Sequence, residues 1–134
     1  MLFFQLPRVP EWFQRRDDFA FMTDALREAR KGAFTDEDLR RYRAAWSQDG
    51  ALTGMINWYR ALFRHTETPS RERVAAPTLV IWGEQDGYLL PEMARESLDY
   101  CENGRLEPLP HATHWLHHEY PERISDRLLE HLGS

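Results

Sequence analysis

Residues 77–89 read PTLVIWGEQDGYL, and this short segment indicates the fold class. Its first half is a continuous apolar run that ends at Gly83, which is typical of a buried strand in a parallel sheet. Polar residues follow at once, so Asp86 falls in the loop just past the carboxyl end of the strand. Ligands and catalytic groups collect at that edge of open α/β sheets. The segment therefore predicts an α/β fold and the edge at which a site would lie.

Downstream, the sequence continues the α/β pattern. PEMARESLDYC at 91–101 predicts a helix, RLEPL at 105–109 a second strand, and PERISDRLLEHL at 121–132 a final amphipathic helix. This order defines a β-α-β-α unit of a parallel sheet. Two strands alone make a marginal sheet, and the sequence offers no others. We therefore expect the chain to be part of something larger, with an unpaired edge on the strand at 78–82.

Upstream, the sequence is helical. Pro7 and Pro10 predict an extended loop over residues 1–17, because each removes an N–H and disfavours helical angles in the preceding residue. Apolar residues at helical spacing then predict a helix from about residue 19 to 30, with Gly32 after its end.

Two further helices are marked by capping and by periodicity. The first begins at Thr35, an N-cap followed by three acidic residues, with Asp38 at the reciprocal capping position. The second, about residues 52–64, carries large apolar side chains on one face: Met55, Trp58, Tyr59 and Leu62. Aromatic residues on such a face are more often core than catalytic.

Length and composition bound the remaining possibilities. At 134 residues the chain suits one modest domain, which we divide into a helical segment at 1–68, a polar linker at 69–76 and an α/β segment at 77–134. Net charge is −5 with acids and bases interleaved, so we expect no nucleic-acid partner. The single cysteine, Cys101, excludes an intrachain disulfide and suits a cytoplasmic location. No apolar run approaches the ~18 residues that a membrane span needs, and no secretory signal is expected at the start.

Four of the six histidines lie between residues 111 and 118. His114 follows the second predicted strand as Asp86 follows the first, so the two side chains are expected to meet at one sheet edge. A carboxylate that binds one ring nitrogen fixes the tautomer of a histidine and stabilises its imidazolium, as a general base requires. The nucleophile for such a pair is lacking.

The other histidines in this region, His111, His117 and His118, form an H-x-x-H-x-x-H-H spacing with His114 that invites a zinc or nickel site. Pro110 and the strand-to-loop context do not match known zinc spacings. We therefore expect no metal, and we interpret these three as loop and surface residues.

The segment at 77–89, the helix and strand that follow it, and the segment at 109–132 together resemble the carboxyl-terminal part of the α/β-hydrolase fold, in the epoxide hydrolase and haloalkane dehalogenase branch. A G-E-x-D loop carries the acid in that branch, and a histidine before tryptophan is the base. The resemblance implies that Asp86 is the acid and that His114, before Trp115, is the base. The family usually has glycine where this chain has Thr113, so a more crowded loop is expected.

The helical half resembles the cap domain of the same enzymes. In the GMINWYR motif at 54–60, the resemblance implies that Tyr59 polarises and protonates the oxygen of an epoxide. A second cap tyrosine is common in a motif like FFQLP, but the matching position here is Phe3, which cannot donate a hydrogen bond. We expect Phe3, Trp58 and Trp115 to contact the substrate.

The implied function is hydrolysis of an epoxide to a vicinal diol through an alkyl-enzyme ester, with no cofactor. The sequence holds neither the H-G-x-P oxyanion loop nor the G-x-D-x-x-G nucleophile motif of the family. We therefore expect a fragment that is inactive alone and whose partner is the missing amino-terminal core segment or another chain.

Two alternatives to an epoxide hydrolase remain. A dehalogenase acting on haloalkanes or fluoroacetate, or an esterase, would keep the fold and change the small-molecule substrate to a halide or an ester. A non-catalytic interaction module, in which the aromatic-rich cap binds a partner, would be favoured if Tyr59 were buried away from the His114 loop.

Overall fold

A computed structural model describes residues 2–64 and 73–133. After a 3-10 helix, Leu2–Gln5, come the helices α1 (Val9–Arg27), α2 (Asp36–Trp46) and α3 (Ala51–Arg64). Strand β1 (Thr78–Gly83), α4 (Glu92–Leu98), β2 (Gly104–Leu109), α5 (Leu116–Glu119) and α6 (Pro121–Leu132) follow.

The described residues form two compact units. The first comprises residues 2–28 and 34–64, and the second comprises residues 29–33 and 73–133. Residues 69–72 of the linker predicted at 69–76 lie outside the described residues. Within the described ranges, no helix combines the length and the apolar character that crossing a membrane requires.

The second unit contains the predicted parallel pair of strands. β1 and β2 pair in register from Thr78 opposite Gly104 to Gly83 opposite Leu109, with α4 as the crossover. The predicted β-α-β-α order is confirmed, with the short α5 as an unpredicted addition. The expected full burial of β1 is wrong, because Gly83 alone in this strand is buried and the other five residues are half-buried. Each strand has one strand neighbour among the described residues, so one edge of each lacks a partner there.

Gly83 permits the close approach that builds the site. A Cβ atom at this position would collide with the carbonyl oxygens of Thr113 and Ala112. The backbone N–H of Gln85 donates to Ala112 O at 3.0 Å, and the N–H of Glu84 donates to Leu109 O at 3.0 Å. The loop after β2 is therefore bound directly to the loop after β1.

The predicted loop at residues 1–17 is wrong. Residues 2–5 form the 3-10 helix, and α1 begins at Val9 with Pro10 in its first turn. Proline is tolerated there because the N–H that it lacks would have no partner within the helix. Non-helical angles at residues 16–19 divide α1 into two stretches, and the second stretch is the helix predicted from residue 19, which ends at Arg27.

The capping prediction for α2 is confirmed. Thr35 Oγ1 accepts from the N–H of Asp38 at 3.2 Å, and Asp38 Oδ2 accepts from the N–H of Thr35 at 2.9 Å. Both bonds of a capping box are present, so the start of this helix is fixed by its own sequence.

Helix α3 buries a face other than its aromatic one. Its buried residues are Leu52, Ile56 and Arg60. Arg60 donates to Glu11 Oε1 at 2.8 Å and to the carbonyl of Phe4 at 3.0 Å, which ties the 3-10 helix and α1 to α3. The four apolar residues predicted to share a face are all exposed: Met55, Trp58, Tyr59 and Leu62.

Candidate active site

The loop after β1 holds the Asp86 carboxylate in a fixed orientation. Its Oδ1 accepts from the backbone N–H of Tyr88 at 2.8 Å and from that of Leu89 at 3.0 Å. Its Oδ2 lies 2.9 Å from Nδ1 of His114, which comes from the loop after β2. The predicted meeting of these two side chains at the carboxyl edge of the sheet is therefore present in the structure.

The electrostatic environment keeps Asp86 ionised. The Asp86 side chain is only 6% exposed, while that of His114 is 35% exposed. Burial acts to raise the pKa of Asp86, but the hydrogen bonds from His114, Leu89 and Tyr88 together outweigh it and hold the pKa below its ordinary value.

The pairing also sets the chemistry of the imidazole. An ionised carboxylate can only accept, so Nδ1 of His114 carries the hydrogen in this contact. The other nitrogen, Nε2, then has a lone pair that can take a proton. The arrangement is that of an oriented general base with partial access to solvent.

Aromatic rings surround the histidine. The ring centroids of Tyr88 and His114 are 5.0 Å apart, and the ring of Trp115 meets that of His114 edge-on at 5.2 Å. Trp115 therefore lies beside His114, and its predicted contact with substrate stays a prediction. Tyr88 was missed by the sequence analysis, although its position two residues after Asp86 in the same loop was a usable signal.

The loop on either side of His114 is anchored by polar contacts. Thr113 donates to Glu119 through its N–H at 2.8 Å and through its hydroxyl at 2.7 Å. The same hydroxyl accepts from the N–H of Trp115 at 3.2 Å. Thr113, at the position where the family usually has glycine, thus has two hydrogen-bond partners for its hydroxyl. Glu119 was not singled out from the sequence, because its partners are mainly backbone groups.

The remaining histidines do not join the Asp86–His114 pair. His111 and His117 are exposed, His118 is half-buried, and the rings of His117 and His118 lie 4.5 Å apart. Although His117 is exposed as a residue, partial desolvation of its ring, followed by the nearby His118 and His114, lowers its pKa. Among residues 2–64 and 73–133, no three His, Cys, Asp or Glu side chains are grouped to hold a metal ion.

The other predicted site residues belong to the first unit. Tyr59 stacks on Phe4 with centroids 4.8 Å apart and is 38% exposed, so it is not a core residue. Phe3 packs against Phe4 and Phe13, and Trp58 is 75% exposed. The exposure of Tyr59 removes the observation that would have favoured a purely non-catalytic module. The roles of Tyr59, Phe3 and Trp58 stay predictions.

A parallel strand pair that presents a carboxylate and a histidine at its carboxyl edge is typical of the α/β-hydrolase class of fold. Comparison with known proteins agrees with this class, although no family model matches the chain. The AB hydrolase superfamily protein YfhM of Bacillus subtilis is 42% identical over 97% of this chain and 46% of its own length. Epoxide hydrolase 4 of mouse is 38% identical over 92% of this chain and 36% of its own length.

Solved structures agree. An epoxide hydrolase of Bacillus megaterium, crystallised in complex with an inhibitor, matches 98% of this chain and 49% of its own with a TM-score of 0.80 and 26% identity. Over nearly its whole length the chain is similar to proteins of the α/β-hydrolase superfamily, and these relatives include named epoxide hydrolases. It spans about half the length, or less, of the proteins that it matches.

Proposed function

We propose that this chain supplies the acid–base half of an epoxide hydrolase reaction. In this proposal His114 activates water, Asp86 orients and stabilises the imidazole, and Tyr59 donates a proton to the epoxide oxygen. The 2.9 Å contact between His114 Nδ1 and Asp86 Oδ2 carries the proposal. The named epoxide hydrolases among the relatives support the choice of substrate class.

The proposed reaction runs in two steps. A carboxylate attacks a ring carbon of the epoxide, the C–O bond breaks, and Tyr59 protonates the oxygen, which leaves an alkyl-enzyme ester. His114 then takes a proton from water, and the resulting hydroxide attacks the ester carbonyl. The diol leaves, the carboxylate is restored, and the imidazolium proton returns to the tyrosine.

The carboxylate nucleophile must come from residues outside this sequence, because the sequence lacks the G-x-D-x-x-G motif. We propose that residues 1–68 act as the cap and 77–134 as the acid–base segment of a complete enzyme. The partner in this scheme is an amino-terminal core segment, in the same polypeptide or in another one.

The test joins this chain to the unmatched part of the Bacillus subtilis relative and measures diol formation from styrene oxide. We expect turnover in the fusion, and none with this chain alone. His114→Ala should lower turnover by about 10²–10⁴-fold and let the alkyl-enzyme ester accumulate, as a mass increase equal to one epoxide. His111→Ala, an exposed neighbour in the same loop, is the matched control and should keep full turnover.

The substrate and the roles are tested separately. Tyr59→Phe should slow formation of the ester and leave its hydrolysis unchanged, because the phenol acts in the first step. Turnover of a haloalkane or an ester without turnover of the epoxide would favour the dehalogenase or esterase alternatives. Full turnover in the His114→Ala fusion would overturn the proposal.

A further inference from the structure

Glu119 lies at the centre of a compact hydrogen-bond network in the second unit. Its carboxylate accepts from the backbone N–H of Arg30 at 2.7 Å, and from the N–H and hydroxyl of Thr113 at 2.8 and 2.7 Å. All three partners are donors toward a single acceptor group. Two of these partners are backbone N–H groups, which can only donate, so the ionised carboxylate is the form that accepts all three bonds.

This network reaches both neighbours of His114. Thr113, on one side, is bound through two of its groups, and its hydroxyl in turn accepts from the N–H of Trp115, on the other side. The backbone is thus fixed immediately before and immediately after the histidine. Asp86 orients the imidazole ring of His114, whereas the Glu119 network fixes the backbone that carries this side chain.

The charge on Glu119 is favoured where it lies. Burial acts to raise the pKa of this carboxyl, but the hydrogen bonds from Arg30 and Thr113 outweigh that effect and lower the pKa. Charge-assisted hydrogen bonds of this kind are roughly twice as strong as neutral ones. A glutamine at this position would keep the shape but would offer one acceptor oxygen and an NH₂ group that faces other donors.

We propose that Glu119 is a positioning residue for His114, acting through Thr113. The catalytic meaning of this assignment rests on the proposed function, in which His114 is the general base. The structural meaning does not: the network selects the backbone geometry in which Nδ1 of His114 meets Asp86. Without the network the ring leaves that geometry and loses the preference for hydrogen on Nδ1.

The tautomer of His114 provides a readout that needs no enzymatic activity. The ¹⁵N chemical shifts of both ring nitrogens, observed through the ring carbon protons in the folded chain, report which nitrogen carries hydrogen. We expect the wild-type chain to hold hydrogen on Nδ1. Glu119→Gln and Thr113→Val should each shift the ratio of the two tautomers about tenfold toward Nε2–H, the size expected for loss of one such hydrogen bond.

Matched controls separate positioning from general stability. Thr113→Ser keeps the hydroxyl and should retain the wild-type shifts, and Glu122→Gln removes an exposed carboxylate nearby and should change nothing. Asp86→Asn is the positive control: its amide oxygen can stay on the N–H groups of Tyr88 and Leu89, so that an NH₂ donor replaces the acceptor that faces Nδ1. Wild-type ring shifts in a folded Thr113→Val or Glu119→Gln chain would overturn the proposal, as would a wild-type ring without hydrogen on Nδ1. Failure of the fusion to hydrolyse epoxide would count against the proposed function and leave this result standing.

Discussion

At the scale of single residues, the site depends on one glycine as much as on its polar groups. Gly83 ends β1, and the carbonyl oxygens of Thr113 and Ala112 occupy the space where its Cβ would be. The hydrogen bond between Gln85 N–H and Ala112 O is made possible by this approach. Any side chain at residue 83 must push away the loop that carries His114.

We therefore expect Gly83→Ala to destabilise the chain by about 1–3 kcal/mol, as overpacking against rigid backbone does. Gly54→Ala is the matched control, because Gly54 lies within α3 with nothing near its missing Cβ. There alanine should stabilise by roughly 0.5–1 kcal/mol through helix propensity. Denaturant unfolding measures the change in unfolding free energy for each variant. Equal changes at both positions would contradict the claim that a Cβ at residue 83 collides with the loop.

Asp86 makes a prediction about pH. Its pKa in the folded chain lies below its ordinary value of 3.8, so its ionised form is favoured by folding. That contribution is fully present above pH 3.8 and is lost as the pH falls through the lower, folded-state pKa, because the unfolded chain then binds more protons. The difference in unfolding free energy between the wild type and Asp86→Asn should therefore shrink on acidification.

The comparison is made by denaturant unfolding at several pH values from about 6 down to about 3. Other carboxylates with lowered pKa values, including Glu11 and Glu119, titrate in both chains and cancel in the difference. If this difference in unfolding free energy stayed constant over the range, the ionised form of Asp86 would not be favoured by folding.

Residue identity predicted part of this site and missed the rest. Asp86 and His114 were predictable because parallel strands bring their following loops to one edge, whatever the details of packing. Glu119 was not, because its partners are the N–H groups of Arg30 and Thr113 together with one hydroxyl. Every residue type except proline has such an N–H, so the order of side chains in the sequence does not predict this contact.

At the scale of elements, local signals were reliable where one short motif carried them. The capping box of α2 is complete within residues 35–38, and the helix begins where the motif places it. In contrast, α1 begins ten residues before the predicted start at residue 19, because Pro10 lies in a first turn and not in a loop. Proline alone does not distinguish these two settings.

The capping box makes a quantitative prediction. Thr35→Ala removes the acceptor for the N–H of Asp38 and should cost about 1 kcal/mol of stability. Thr35→Ser keeps the oxygen and should cost much less. Thermal unfolding followed by circular dichroism compares the two, and equal losses would show that the methyl group, not the hydroxyl, matters at this position.

At the scale of the whole chain, apolar surface remains uncovered in both units. In α3 the exposed face includes Trp58 and Leu62, and in α6 no residue is buried among the described ones. Helices of this amphipathic kind normally cover their apolar face. The chain also spans only about half the length of its relatives, which agrees with apolar faces that meet no partner within residues 2–64 and 73–133.

The terminal helix offers the sharpest test of this surface. Leu129 and Leu132 are 69% and 79% exposed, and exposed apolar patches promote association. We expect the isolated chain to self-associate with rising concentration. Lysine at both leucines should weaken association by at least about tenfold, because each leucine contributes roughly 1.5–3 kcal/mol when buried. Sedimentation velocity over a concentration series measures the effect.

Asp126→Lys, on an exposed position of the same helix, changes the net charge by the same two units and should leave association unchanged. If the charge-matched control weakened association equally, electrostatic repulsion and not the apolar face of α6 would explain the result.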